Sequence, residues 1–345
     1  MAQTAPPAQW SEARGQTSGG LQSTDTVALR SKDQVKPVGR PAISLAKQQS
    51  ASLELGPRSS GTLDNRSWQD WEDADKANEH DPQACSTYAR AIFNHLRETE
   101  LEKMPRPDYL EHKQKDMNPK MRAILVEWLV EVSEEYKLCA DTLYQAVNYL
   151  DRFLSMYVAK RNQLQLVGVT CLWVASKYEE IYPPTLTDYC YITDNTYVKE
   201  QLISMEETLL NTLNYQLTVP TSKTFLRRLL QVCNPDEYLH FLSNYLTELS
   251  LLDYNMLKFV PSVIAAAGVF LANLMLGRPS WDANLRHFSA YVPTDIKKCV
   301  MALAAVHQAI GSSQSLVAIR EKYSHERFLQ VGLIPPLAVQ PAMFG

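Results

Sequence analysis

The chain has 345 residues, 45% of them hydrophobic, and 34 Lys and Arg against 38 Asp and Glu give a formal net charge of −4. It can therefore bury a sizeable core, and with no basic excess the charge gives no support for nucleic-acid binding through a basic face. Six cysteines, at 85, 139, 171, 190, 233 and 299, form no CxxC pair, so they read as reduced, mostly buried residues of a cytosolic or nuclear protein.

Residues 1–66 carry six of the twelve glycines and five prolines, with no helical periodicity. Eight basic and five acidic residues make this stretch +3, leaving −7 for the remainder, and its composition predicts a disordered tail. No secretory signal or mitochondrial presequence is expected there. From Trp68 onward the pattern is helical, with no alternating strand signal.

Asp81-Pro82 opens a segment with Tyr88, Ile92 and Leu96 at four-residue spacing. Asn118-Pro119 precedes a helix beginning near Met121, and Asp141 is expected to cap the next, over 142–154. A third helix is predicted at 164–178, a loop at Pro183-Pro184, and a longer amphipathic helix at 197–213. Val219-Pro220-Thr221 reads as a boundary with Thr221 as a cap. Helices then recur at 221–232, 236–252, 261–276, 282–288 and 294–310. In both halves the third helix is small and apolar: Val174-Ala175-Ser176 matches Ile264-Ala265-Ala266-Ala267, so neighbours can surround it closely.

A period of about 100 residues is too long for a solenoid and points to two homologous five-helix domains. Residues 259–276 approach the length of a bilayer span, but Pro261, Ser262 and Asn273 interrupt them, which predicts a buried central helix in a soluble protein. From about Gln330 the chain is an apolar, proline-bearing tail. The expected architecture is all-α: a tail at 1–66, an N-terminal helix plus first repeat at 67–218, a second repeat at 219–333 and a C-terminal tail at 334–345.

The segment MRAILVEWLVEV, residues 121–132, is too apolar for an ordinary surface helix. Met121, Ile124, Leu125, Trp128, Leu129 and Val132 share one face, Val126 and Val130 widen it, and the arc spans roughly 240° where a core-facing stripe needs about 100°. Glu127, Glu131 and Glu134 fill the remaining sector. On this segment alone, a central helix packed all round is the simpler reading. The alternative is a strip edged by carboxylates that docks a short ligand with one apolar and one basic residue. Arg122 projects into the apolar arc between Leu129 and Val126 and is expected to be buried.

No GxGxxG, GxxxxGK[ST], HExxH or GxSxG motif occurs, and the seven histidines stand at no metal-ligand spacing. Glu134-Glu135 and Glu179-Glu180 read as solvated surface. Neither cofactor nor metal is expected, and the function is expected to lie in surfaces.

Those surfaces have a family counterpart. MRAILVEWLVEVSEEYKL, LYQAVNYLDRFLS, LQLVG…ASKYEEIYPP, YITDNTY and MEETLLNTLNYQL, in that order and spacing, resemble the cyclin box, and EVSEEYKL resembles its A-type branch. The resemblance covers roughly residues 81–333. It implies a non-catalytic regulatory subunit that forms a heterodimer with a cyclin-dependent kinase and acts in S phase and mitotic entry. The implied kinase-facing residues are Lys177, Tyr178, Glu206, Leu210 and Tyr215, with Val174 adding apolar area and Tyr88 and Ile92 a second contact. In the family, the counterparts of Lys177 and Glu206 grip the kinase's mobile C-helix.

The implied docking patch comprises Met121, Ile124, Leu125, Trp128, Glu131, Arg161, Leu164 and Gln165, and it reads basic-x-Leu motifs in substrates and inhibitors. The family pairs Arg122 with Asp151, which makes Arg122 structural. Mitotic members carry an RxxL destruction box that engages the ubiquitin-ligase machinery. The nearest candidate here is Arg40-Pro41-Ala42-Ile43, with isoleucine in the last position; Arg122–Leu125 and Arg227–Leu230 fit the pattern but fall in predicted helices. No Ser-Pro or Thr-Pro dipeptide occurs, which argues against phosphorylation by the bound kinase. Nuclear residence, with a cytoplasmic pool, rests on the family alone, and no nucleic-acid or membrane partner is expected. A second reading is a cyclin-fold adaptor in transcription; the acidic repeats and the MRAIL and SKYEE segments weigh against it.

Overall fold

A computed structural model of the chain describes residues 74–344. The predicted tail at 1–66, with Arg40 and Ile43, lies outside the described residues, which contain helices and no strand. α1 (Ala74–Ala77), α2 (Ala89–Glu102) and α3 (Tyr109–His112) lead into α4 (Pro119–Glu135), α5 (Ala140–Met156), α6 (Leu164–Glu179), α7 (Leu186–Tyr191) and α8 (Lys199–Thr212). α9 (Ser222–Cys233), α10 (Glu237–Leu249), α11 (Pro261–Met275), α12 (Ala283–Ser289) and α13 (Pro293–Gly311) repeat the five-helix pattern, and α14 (Ala318–Ser324) follows.

Local chemistry accounts for most helix starts. The Asn118 side chain accepts the Met121 amide at 3.0 Å with Pro119 in the first turn, and Thr221, Asp236 and Asp282 cap α9, α10 and α12. Two expectations fail. Asp81 caps only a 3-10 turn, because Cys85 adopts a left-handed conformation (φ 48°) and delays α2 to Ala89. Asp141 does not cap α5. The Cys139 amide and the Thr142 hydroxyl instead donate to Glu180 Oε1, at 2.8 and 2.5 Å, from the end of α6. Asp141 accepts from Arg227 of α9 at 2.6 Å.

Each repeat is built round its third helix. α6 packs against α4, α5 and α8, and α11 against α9, α10 and α13. Small residues make this possible: a Cβ at Gly268 would collide with Thr247 Oγ1 of α10. α11 is fifteen residues long and buried within the second repeat, and among the described residues no helix is long and apolar enough to cross a membrane. Beyond Gln330 the chain folds back: Val331 is fully buried, and Phe344 stacks on Phe270 with ring centroids 5.1 Å apart.

The two repeats meet across a buried polar junction. Arg122, 2% exposed, gives Asp151 two hydrogen bonds of 2.7 Å and donates to the Leu251 carbonyl of the second repeat at 2.8 Å. Tyr109 OH donates to Asp151 at 2.9 Å, and Tyr109 lies edge-on to Tyr254, 5.3 Å between centroids. Burial opposes the Arg122 charge, but Asp151 overcomes that and holds the guanidinium above its ordinary pKa.

Candidate functional site

Two surfaces carry the candidate residues. At the first, the last turn of α6 meets α8. Lys177 Nζ donates to Glu206 Oε1 and lies over the Trp173 ring, 3.7 Å from its centroid, so the cation is fixed from two directions. Tyr178 is exposed, its hydroxyl bonded to Thr218 Oγ1 at 2.6 Å, while Leu210 is half-buried and Tyr215 exposed in a left-handed conformation (φ 56°). Val174 does not belong to this surface. It is 3% exposed, because position 174 on α6 turns inward to the core, so Tyr178 and Leu210 supply the apolar area without it.

The sequence pattern did not mark Ile181 and Tyr182, which stand 86% and 92% exposed in the loop after Tyr178. The available signal was two large apolar residues in a non-helical stretch before Pro183-Pro184. Tyr88 and Ile92 are also exposed. Ile92 lies on α2 and Tyr88 immediately precedes it; α2 is fastened to the second repeat, where Glu100 accepts the Ser262 amide and hydroxyl at 2.9 and 2.8 Å and Phe93 meets Phe225 edge-on.

At the second surface, Met121, Ile124, Leu125 and Trp128 of α4 converge with Arg161, Leu164 and Gln165 on a groove of about 450 Å³, within the ~300–1,000 Å³ of small-ligand sites. These seven are the expected docking set without Glu131, which is exposed one turn past Trp128. Leu125 and Leu164 are nearly buried and form the floor; Ile124 is 49% exposed. The floor depends on Gly168 of α6, where a Cβ would lie 2.8 Å from Leu125 Cδ1.

The acidic sector of α4 differs from expectation. Glu127 is buried, and its Oε1 accepts the Val317 and Ala318 amides at the start of α14. Burial pushes its carboxyl pKa up, against those two amides. Glu134 pairs with Lys322 at 3.1 Å and Arg327 at 2.6 Å. Two of the three acids thus hold the C-terminal segment, which folds onto α4 after a long excursion in sequence. Glu131 alone keeps an exposed carboxylate beside the groove.

Among the described residues, one cluster, Cys139, Asp141 and Glu179, has metal-ligand proximity. Each already has a protein partner: Thr142, Arg227 and Gln145 respectively.

The family "Cyclin, N-terminal domain" matches residues 91–218, and "Cyclin, C-terminal domain" matches 220–337. The chain belongs to the cyclin family. It is 47% identical over 267 residues to cyclin-A1-2 of Oryza sativa subsp. japonica, covering 75% of this chain and 56% of that one. With cyclin-A1-4 of the same organism it is 46% identical over 259 residues, covering 73% and 72%. The chain thus spans only about half the length of the first relative. A viral cyclin from herpesvirus saimiri shares the fold, with a TM-score of 0.54 and 20% identity over 69% of this chain and 99% of the viral one. Cyclins are non-catalytic regulatory subunits of cyclin-dependent kinases.

Proposed function

We propose that this cyclin binds a cyclin-dependent kinase and activates it by holding the kinase C-helix inward. The observation that carries the reading is the convergence of Lys177 and Glu206, from two helices, on one exposed corner flanked by Tyr178 and the Ile181-Tyr182 loop. A cation and a carboxylate side by side can bond backbone groups of opposite polarity, while the exposed aromatics supply buried area. A protein kinase needs its Lys–Glu pair and metal-binding Asp aligned, and C-helix position governs both. A partner that binds only the inward state shifts the equilibrium by its differential affinity. The cyclin itself contributes no catalytic group.

The groove round Trp128 then recruits substrates and inhibitors with basic-x-Leu motifs. Leucine enters among Met121, Leu125 and Trp128, and the ligand's cation meets Glu131. Burying one leucine is worth about 1.5–3 kcal/mol and an exposed ion pair about 0–1 kcal/mol, so the site acts by tethering a substrate that the kinase engages elsewhere. The likeness to A-type cyclins supports, as part of the same proposal, action in S phase and mitotic entry, residence in the nucleus and turnover through the N-terminal tail. The test is the Lys177→Ala, Glu206→Ala double variant mixed with purified cyclin-dependent kinase. Histone kinase activity should fall to the level of kinase alone while the circular dichroism of the free cyclin is unchanged. Full activation by the double variant would overturn the assignment.

A further inference from the structure

The segment ahead of α2 carries its own local hydrogen bonds. The Asn78 amide donates to the Asp75 carbonyl at 3.1 Å, the Asp81 amide to the Asn78 carbonyl at 3.0 Å and the Tyr88 amide to the Cys85 carbonyl at 2.9 Å. α1 has four residues and packs on the 3-10 turn Ser86–Tyr88; a helix of one turn is too short to hold itself. Its anchor lies in the second repeat. Arg228 of α9 gives the Asp75 carboxylate two parallel hydrogen bonds, 2.5 and 2.7 Å, from 153 residues away, and the two side chains are only 13% and 16% exposed. Bidentate, charge-assisted bonds of this kind are the strong ones. The Arg228 guanidinium also lies over the Phe288 ring, 5.1 Å from its centroid, and donates to Gln231 at 3.3 Å, so its direction is fixed. Arg90 and His287 line the same cleft of about 280 Å³, in which Asp75 is the one carboxylate. Without Asp75, two guanidiniums and an imidazole would share that cleft with no anion among its lining residues, so the charges favour α1 in place.

We infer that Asp75 and Arg228 are a positioning pair for kinase binding: their bond holds α1, and through it the turn that presents Tyr88 to the kinase. The inference rests on the kinase-binding role proposed above, with Tyr88 as a second contact. Tyr88 is 66% exposed, ends the 3-10 turn and precedes the first residue of α2, with no side-chain cap to fix it. α2 itself is fastened from Phe93 onward: Phe93 meets Phe225 edge-on, Arg97 lies over the Tyr291 ring at 4.4 Å from its centroid, and Glu100 accepts from Ser262. Ile92 is placed by its neighbour Phe93, whereas Tyr88 stands more than a turn earlier and depends on the strap. A loosened strap leaves Tyr88 in position in only a fraction of molecules, and apparent affinity falls by that fraction. The Lys177–Glu206 corner, on α6 and α8, is not touched by the pair, so a cyclin that does bind still holds the C-helix inward.

Titration of the full chain against purified cyclin-dependent kinase, read as histone kinase activity, tests this. Asp75→Asn should raise the half-saturating cyclin concentration about tenfold, the competent fraction falling to roughly a tenth, while activity at saturation and the circular dichroism of the free chain stay at wild-type levels. Charge reversal, Asp75→Arg with Arg228→Asp, should bring the half-saturating concentration back to within about threefold of wild type. In a Tyr88→Ala background Asp75→Asn should add nothing, whereas beside Ile92→Ala its full effect should remain, because only Tyr88 hangs on the strap. Hydrogen exchange in free Asp75→Asn should quicken at residues 85–89 and stay unchanged at 97–102. An Asp75→Asn chain that half-saturates like wild type, one that loses activity at saturation, a reversal that recovers nothing, or an effect that persists beside Tyr88→Ala overturns the positioning pair and leaves the kinase role standing. Tyr88→Ala without effect removes the contact the pair serves and overturns it as well. A wild-type chain that fails to activate the kinase overturns both.

Discussion

Arg122 lies in the helix that carries the proposed docking groove, yet its partners place it in the core. Arg122→Ala removes two hydrogen bonds to Asp151 and one to the Leu251 carbonyl, and leaves a carboxylate that is 1% exposed with Tyr109 OH as its remaining donor. Breaking one partner from a buried pair costs about 3–5 kcal/mol, a large share of the ~5–15 kcal/mol that stabilises a folded domain. At about 2–4 °C per kcal/mol for a chain of this size, Tm should fall by roughly 10 °C. The double variant Arg122→Met, Asp151→Leu removes both charges and should recover at least half of the loss. Recovery stays incomplete because the Leu251 carbonyl and Tyr109 hydroxyl lose partners, at about 1–3 kcal/mol each. Urea unfolding followed at 222 nm measures both variants. A loss below about 1 kcal/mol for Arg122→Ala, or a double variant less stable than the single one, would refute the buried-pair argument.

Other outcomes follow from the same geometry. Trp128→Ala removes one wall of the groove and should weaken motif peptides by about tenfold or more, from a leucine worth about 1.5–3 kcal/mol. It should slow phosphorylation of motif-bearing proteins and spare short peptides; equal loss on both would mean a folding defect. Gly168→Ala should push Leu125 into the groove, weakening motif peptides several-fold at a stability cost of about 1–3 kcal/mol, with kinase activation retained; unchanged peptide affinity would show that Leu125 does not form the floor. His307 is buried edge-on against Tyr245, and burial lowers its pKa to about 4. Between that value and about 6.5 the unfolded chain binds the extra proton, so stability should fall with falling pH across this window, by on the order of 3 kcal/mol in full. Denaturation of wild type and His307→Gln from pH 7 to 4 checks this: equal slopes would exclude His307 as the source.

What the linear sequence determined was everything carried by periodicity and neighbouring residues. Helix type, the apolar third helix of each repeat, and the caps Asn118 and Thr221 depend on residues within about four positions, and such signals survive without a fold. The unusual apolar arc of 121–132 was legible too, as was the cyclin signature within it. What only tertiary structure decided depends on partners remote along the chain. Short helices such as α7 and α14 hold too few periods to announce themselves. Glu180 takes the capping place expected of Asp141 from about 40 residues away. Glu127 looks like a surface acid until α14 folds back onto it from 190 residues on, and Val174 looks accessible until the orientation of α6 is fixed. A helix face declares its apolarity in its own sequence, but which part of that face stays open to a ligand is set by what packs against the rest.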